Sequence, residues 1–326
     1  MSGPCIHILF EFRESPYGGA NQFLKALRDA LARARRYAEE PAPADVVLFN
    51  SHHDLKAVMA ARRAFPDKPF IHRVDGPMRL YNDPSDKRDA LVIKANNALA
   101  DATVFQSQWS LEQNLRFGWP AGGRCKVIGN APDPQVFNNE GRRPLLSGGK
   151  PRLIAASWST NPNKGFDVYD YLDEVLDYDA YDMTFVGNSP VTFRNIHHLP
   201  PCSSEDLARE FKRSDIFITA SRHDPCSNSL VEALHCGLPA IARRDGGHPE
   251  VLGSGGELFD AMEEVPELIE RLVAGHAGYA GRIEAPSIDE VAGRYAAFAE
   301  SLAGEVEAGH LMTKRPSFLQ GLFFGG

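Results

Sequence analysis

The sequence is short of the features that mark a secreted, metal-bound or nucleic-acid-binding protein. Its five cysteines, Cys5, Cys125, Cys202, Cys226 and Cys236, are scattered and odd in number, with no Cys-x-x-Cys spacing. That argues against a disulfide framework or a zinc cluster and fits reduced thiols. No apolar run approaches the roughly 20 residues a membrane-spanning helix needs. The start, MSGPCIHILFEF, lacks a basic n-region and a small-residue cleavage site, so a cytoplasmic protein without a signal peptide is expected. Positive charge is also in deficit, with 35 Lys and Arg against 43 Asp and Glu and a net charge of −8. Broad nucleic-acid binding needs the opposite balance; a local basic pocket for a phosphorylated ligand does not. The histidine pairs His52-His53 and His197-His198 have no Cys or carboxylate completing a ligand set at metal-binding spacing, so no metal is expected.

What is present is an alternation. Short apolar runs separated by helical stretches form two series, the pattern of parallel α/β architecture. In the first series, strands are expected at Cys5–Phe12, Asp45–Asn50, Pro69–Val74, Ala102–Gln106 and Lys126–Ile128, with amphipathic helices at Gln22–Glu39 and Leu55–Phe65. The polar stretch Asn138–Lys150, containing Gly141, Pro144, Gly148 and Gly149, reads as a linker. Beyond it, strands are expected at Arg152–Ser157, Met183–Val186, Ile216–Thr219 and Pro239–Ala242. Helices fit Phe166–Leu176, Ser204–Lys212, Ser229–Cys236 and Val265–Ala274. The expectation is two doubly wound Rossmann-like domains, 1–140 and 151–285, facing across a cleft, followed by a helix and tail over 286–326. Ligands of such sheets bind at the carboxyl ends of the strands.

The most informative stretch is Asp224–Glu250, DPCSNSLVEALHCGLPAIARRDGGHPE. Asp224 follows the strand IFITAS, and Glu232 comes eight positions later in the first turns of a helix. Ser229 and Glu232 stand at capping-box spacing, which alone gives only a well-capped helix. Backbone N–H groups of Asn228 and Ser229 at that helix N-terminus also suit an anionic diphosphate. A carboxylate on either side can accept hydrogen bonds from sugar hydroxyls. A second element, WSTNPNKG over Trp158–Gly165, lies between a strand and a helix and presents Lys164, a compact cation suited to phosphate. A third, FVGN over Phe185–Asn188, ends a strand with Gly187, where a missing side chain allows close backbone approach.

Together these segments resemble the retaining GT-B glycosyltransferases of family 4, the glycosyl transferases group 1 type. Asp224 and Glu232 stand where that family carries its E-x7-E pair, with Asp at the first position, and ALHCGLPAIARRDGGHPEVL matches the usual continuation. The resemblance implies that Asp224 lies by the donor sugar and that Glu232 holds the nucleotide ribose. Lys164 matches the lysine of the family's R-x4-K-G element, whose cations offset the diphosphate, whereas Ser159 takes the arginine's place. Compensation is then expected from Arg73, Arg222 or the helix dipole. Gly187 matches a Val-Gly position that passes close to the nucleotide. The resemblance is dense over Arg152–Phe259 and thin over the first 140 residues.

In the first domain, SPYGGAN over Ser15–Asn21 places Gly18 and Gly19 at the family's glycine-rich turn, which can cradle a phosphate or line the acceptor cleft. The strand PFIHRVDGP brings His72, Arg73 and Asp75 to the point where the chain leaves the sheet. Asp75 stands near the register where the family carries a histidine contacting the donor sugar. His72 also reads as a satisfied core histidine, and Asp75 before Gly76-Pro77 as a turn starter.

The resemblance therefore implies a metal-independent, retaining hexosyltransferase that needs no cofactor. It would move a sugar from a UDP- or GDP-sugar to a glycan, lipid-linked or small-molecule acceptor. Asp224, Lys164, Asp75 and His72 are the expected catalytic group. Gly18, Gly19, Ser159, Lys164, Gly187, Asn228, Ser229 and Glu232 are the expected donor-binding residues. Two alternatives stay open: an epimerase of nucleotide sugars on the same fold, and a non-catalytic nucleotide-sugar-binding subunit, motivated by the missing arginine. The tail Leu311–Phe324 combines Lys314 and Arg315 with Phe318, Leu319, Leu322, Phe323 and Phe324. That mixture suits either peripheral contact with the inner membrane face or packing against the first domain, onto which the resemblance implies that the helix and tail over 286–326 pack back. Base, sugar, acceptor and oligomeric state are not legible in the residues.

Overall fold

Val46–Asn50, VVLFN, and Phe70–Val74, FIHRV, are buried along their whole length, as strands inside a parallel sheet covered on both faces must be. They sit at the centre of the first of two units into which the chain divides. The computed structural model describes residues 3–13, 18–143, 145 and 149–316. One unit comprises Met1–Asn130 with Ile288–Gly326, and the other Ala131–Ser287.

The first unit has a five-stranded parallel sheet in sequence order: β1 Ile6–Leu9, β2 Val46–Asn50, β3 Phe70–Val74, β4 Ala102–Phe105 and β5 Cys125–Val127. The intervening helices are α1 Gly18–Arg33, α2 Leu55–Ala64, α3 Met78–Tyr81, α4 Arg88–Leu99 and α5 Gln108–Arg116. Helix α1 begins four residues earlier and ends six residues earlier than the apolar period over Gln22–Glu39 suggests. Helices α4 and α5 were not expected. In α4 the buried residues include Asn96 beside Val92, Ala95, Ala98 and Leu99, so no clean apolar stripe marks it. Helix α5 is mostly polar and is fixed by a cap, Ser107 Oγ accepting from Ser110 N at 3.0 Å.

The second unit has a six-stranded parallel sheet. Its strands are β6 Arg152–Ser157, β7 Asp182–Gly187, β8 His197–Leu199, β9 Ile216–Thr219, β10 Ala240–Arg243 and β11 Gly256–Phe259, ordered β11-β10-β9-β6-β7-β8. Its helices are α6 Phe166–Val175, α7 Ser204–Arg213, α8 Asn228–His235, α9 His248–Leu252, α10 Val265–Ala274 and α11 His276–Ala280. The two edge strands, of three and four residues, are too short to stand out as apolar runs. Alternate strand residues feed two cores. Ala155, Phe185 and Ile241 pack with Phe166 and Tyr169 on one face; Ala156, Val186 and Ala242 pack with Phe211 and Leu230 on the other. The strand order reverses between β6 and β9, which opens a crevice at their carboxyl ends. The expected linker is shorter than its composition suggests, because Lys212 Nζ donates to Asn138 Oδ1 at 2.8 Å and Arg143 N donates to Lys212 O at 3.0 Å.

Helix α12, Ile288–Glu307, returns to the first unit and packs on α1. Tyr295 lies 6.3 Å from Phe23, and Arg33 pairs with Asp289 at 2.7 Å. The segment after it is tied down. Arg62 Nε donates to Lys314 O at 2.7 Å, Lys314 N to Asp101 Oδ1 at 2.7 Å, and Lys314 Nζ to Asn96 O at 3.0 Å. Arg315 pairs with Asp67 at 2.6 Å. Lys314 is thus held by the protein itself, whereas Arg315 and its partner stay largely exposed, at 65% and 82%. Phe318, Leu319, Leu322, Phe323 and Phe324 lie outside the described residues. Among the described residues no helix is long and apolar enough to cross a membrane.

Candidate active site

The crevice of the second unit is built by the loops after β6 and β9. After β6 a chain of short hydrogen bonds shapes the backbone: Ser157 Oγ donates to Ser159 O at 2.8 Å, and Asn161 N donates to Ser159 Oγ at 3.1 Å. Asn161 Oδ1 then accepts from Asn163 N at 2.8 Å, capping the single turn Pro162–Lys164. Ser159, standing in the arginine's position, therefore fastens the loop that presents Lys164. The Lys164 Nζ reaches Asp224 Oδ2, 3.0 Å away in the loop after β9. Burial pushes the Asp224 carboxyl upward, but Lys164, His248 and the Cys226 N–H together outweigh this and hold it below the usual carboxylate range.

Helix α8 begins at Asn228, one residue before the expected start, with Ser227 as the N-cap residue. Ser229 is thus inside the first turn, and the capping box with Glu232 does not form. The Ser227 side chain makes no cap and instead meets Ser229 Oγ at 3.2 Å. No side chain caps the N–H groups of Ser229 or Leu230 among the described residues, which leaves a helix N-terminus suited to an anion. Glu232, half-buried on the same helix, has no hydrogen-bond or ion-pair partner for its carboxyl among the described residues. Burial alone pushes it up to about 8.

Two glycines have reasons that the geometry makes plain. Gly187 has φ +115°, and a Cβ there would lie 1.9 Å from Ser157 O. Its close approach is to the chain's own β6. Gly246 has φ +64°, and a Cβ would lie 2.2 Å from Asp224 O. The sequence reading missed this second loop, over which Gly247 N donates to Asp224 O at 2.9 Å and His223 N to Asp245 Oδ2 at 3.1 Å. His223 itself is left-handed at φ +55°, a strained conformation typical of functional loops. Behind it, fully buried His248 accepts from Ser221 Oγ at 3.2 Å through Nε2 and donates to Arg243 O at 3.0 Å through Nδ1. Burial pushes its pKa down, so the ring is neutral. The signal that marks this loop is the Gly-Gly pair after Asp245.

Both arginines expected to compensate are paired within their own units. Arg222 pairs with Asp167 at 2.6 Å. Arg73 is in the first unit, 1% exposed, donating to Asn50 Oδ1 at 2.6 Å and to Asp75 Oδ1 at 3.2 Å.

In the first unit the expected residues separate. His72 is fully buried and stacks on Phe49 at 4.3 Å. Its Nε2 donates to Ser51 O at 2.9 Å, and its Nδ1 accepts from Asn96 Nδ2 at 3.2 Å. Burial drives its pKa to about 3. With both nitrogens spent and no exposed edge, His72 is a satisfied core histidine, which corrects the catalytic expectation. Asp75, by contrast, keeps a 22% exposed side chain. Gly18 and Gly19 form the first turn of α1, while 14–17 lie outside the described residues.

Among the described residues no group of three or more His, Cys, Asp or Glu side chains could hold a metal ion. The Asp-x-Asp triplet Asp177–Asp179, which bears on metal use, lies in the turn between α6 and β7. There Asp177 Oδ1 accepts from Asp179 N at 2.9 Å. That turn is at the amino ends of the strands, opposite the crevice.

Residues 193–276 match the family model described as glycosyl transferases group 1. The matched segment holds Asp224, Glu232, Gly246 and His248. No curated protein sequence matches the chain significantly. Among solved structures, a sucrose-phosphate synthase from Thermosynechococcus elongatus is similar with TM-score 0.65 and 15% identity, over 94% of this chain and 99% of that one. Anabaena HepE in complex with UDP and glucose gives 0.60 and 16%, over 94% and 99%. The catalytic domain of starch synthase IV from Arabidopsis thaliana, bound to ADP and acarbose, gives 0.69 and 11%, over 94% and 100%. The chain thus has the GT-B α/β fold, and its second unit carries the sequence pattern of the glycosyl transferases group 1 family.

Proposed function

We propose that the chain transfers a sugar from a nucleoside diphosphate sugar to a hydroxyl acceptor, with retention at the anomeric carbon and without a metal ion. The observation that carries this is the cluster at the strand-order reversal. There a lysine is paired to a buried carboxylate, beside a helix on which, among the described residues, no side chain caps the N–H groups of Ser229 or Leu230 and the Glu232 carboxyl has no partner. Such a set matches the donor's parts: diphosphate, sugar hydroxyls and ribose hydroxyls. The complexes of HepE with UDP and glucose and of starch synthase IV with ADP support a nucleoside diphosphate.

Lys164 and the α8 N–H groups receive the charge that builds on the diphosphate as the bond from sugar C1 to phosphate oxygen breaks. Asp224 orients the sugar through its hydroxyls, and Glu232 accepts from the ribose. The acceptor oxygen bonds to C1, and its proton passes to the departing phosphate oxygen, so no protein nucleophile is required. Lys164 and the helix dipole supply what a divalent cation would otherwise supply. The acceptor is a hydroxyl of a glycan, a lipid-linked glycan or a small molecule.

One observation favours a second reading, a nucleotide-sugar-binding subunit without turnover: Ser159 stands where the family carries a cation. Incubation with UDP-, GDP- and ADP-sugars in EDTA, following binding and nucleoside diphosphate release, separates the two. Slow release is expected. Binding with no release supports the subunit, and no binding to any of them rejects both.

A further inference from the structure

Four side chains of the first unit close a circle of hydrogen bonds. Arg73 Nη1 donates to Asp75 Oδ1 at 3.2 Å, and Arg73 Nη2 to Asn130 Oδ1 at 2.9 Å. Asn130 Nδ2 donates to Gln106 Oε1 at 3.0 Å, and Gln106 Nε2 returns to Asp75 Oδ1 at 2.5 Å. The chain assembles the circle from the end of β3, the residue after β4 and the turn after β5. Arg73, Gln106 and Asn130 are 1%, 6% and 5% exposed, whereas the Asp75 side chain keeps 22%. Its carboxylate is the one edge of the circle that reaches solvent. Oδ1 takes both donors, and Oδ2 has no partner among the described residues. Asp75 O is held as well, by Ser110 Oγ at 3.4 Å and Asn114 Nδ2 at 3.3 Å.

The fold tolerates a penalty to keep this arrangement. Arg73 lies over the Phe23 ring at 4.7 Å, and its Nε and the neighbouring Asn50 Nδ2 are buried with no partner among the described residues. Apolar side chains would fill such a site at least as stably. A buried polar network that is incompletely satisfied needs a reason other than stability.

We propose that Arg73, Gln106 and Asn130 are positioning residues that hold the Asp75 carboxylate in one orientation, with Oδ2 presented to a neutral hydroxyl of the substrate. The preference for a neutral group follows from charge. Arg73 already balances Asp75, so the circle is neutral and a cationic group gains little beyond the hydrogen bond. That the hydroxyl belongs to a sugar rests on the glycosyl-transfer reading above.

A double-mutant cycle in the full chain tests this, using Gln106→Met, which keeps length but removes the donor, and Asp75→Asn. Gln106→Met is expected to lower kcat about tenfold or more, with nucleotide affinity unchanged and Tm lowered modestly because Asn130 Nδ2 loses an acceptor. In the Asp75→Asn background the same change is expected to have no further effect. Equal fold-losses in both backgrounds overturn the proposal, because Gln106 would then not act through Asp75. A crystal structure of Gln106→Met gives a readout that needs no activity. Asp75 in more than one rotamer supports the proposal, and Asp75 unmoved in a single rotamer overturns it. A wild-type chain that transfers no sugar would count against the glycosyl-transfer reading, while the rotamers still decide the circle.

Discussion

Lys164 Nζ and Asp224 Oδ2 lie 3.0 Å apart and join the loop after β6 to the loop after β9. The pair closes the crevice floor with both groups largely shielded, at 21% and 12% side-chain exposure. Lys164→Met would strand the carboxylate, at a cost of about 1–3 kcal/mol in unfolding free energy. Because the folded Asp224 is held below the usual carboxylate range, its stabilisation is complete above the unfolded value and fades as pH falls through the folded one. The gap between urea melts of wild type and Asp224→Asn should be full at pH 7 and narrow progressively as pH is lowered below about 4. A gap of the same size across that range would contradict the pairing.

Glu232 works in the opposite sense. Its carboxyl is pushed up to about 8 by burial, so the folded chain binds a proton that the unfolded chain has released. Stability therefore falls as pH rises from the unfolded carboxyl range towards 8. Glu232→Gln should melt higher than wild type at pH 8.5 and level with it near pH 4. Above pH 8, where the carboxyl is ionised, the same substitution should weaken nucleoside diphosphate binding by roughly 1–3 kcal/mol, the scale of a charged hydrogen bond. A variant that gains stability and loses affinity is the signature of a residue kept for a ligand. Unchanged affinity would leave Glu232 as a merely awkward core carboxyl.

The sequence made the second unit's strands legible, because β6 and β9 are unbroken apolar runs and match their expected bounds. The pair Asp224 and Glu232 was legible through spacing. Which of them pairs with Lys164 was not, since that contact spans 60 residues. Helix α4 escaped because its buried face includes Asn96, which donates to Thr103 Oγ1 at 2.8 Å, and a period of apolar residues cannot register a buried amide. His72 was legible only as a choice. Whether a histidine on a strand is core or site depends on what packs over it, here Phe49 and Asn96. The Arg73 circle was illegible for the same reason, since its members are held together only by the register of β3, β4 and β5.

Gly246 offers a test of the loop that backs Asp224. With φ +64° and Asp224 O in the way of any Cβ, Gly246→Ala should cost more than about 1 kcal/mol and lower activity through displacement of Asp224. Gly118→Ala is the comparison, with φ +92° and nothing within 4 Å. It should cost backbone strain of roughly 1 kcal/mol and leave activity intact. Equal activity in the two variants would separate the loop from the site.

The C-terminal segment predicts a stability effect. Arg62 and Asp101 form a fully buried pair at 3.0 Å, and Lys314 supplies both a carbonyl and an N–H to it. A chain ending at Gly309 should expose that pair and lose about 3 kcal/mol or more, the scale of a broken buried network. Its Tm should drop by several degrees. An unchanged Tm would show that the segment is not a structural strap.

The most direct measurement is calorimetric titration of UDP-, GDP- and ADP-sugars into wild type, Glu232→Gln and Lys164→Met, all in EDTA at pH 8.5. The account predicts saturable binding of at least one of these donors to the wild type without metal, weakened about tenfold or more by either substitution, as loss of a charged hydrogen bond requires. Binding that appears only after manganese is added, or that neither substitution alters, would contradict it.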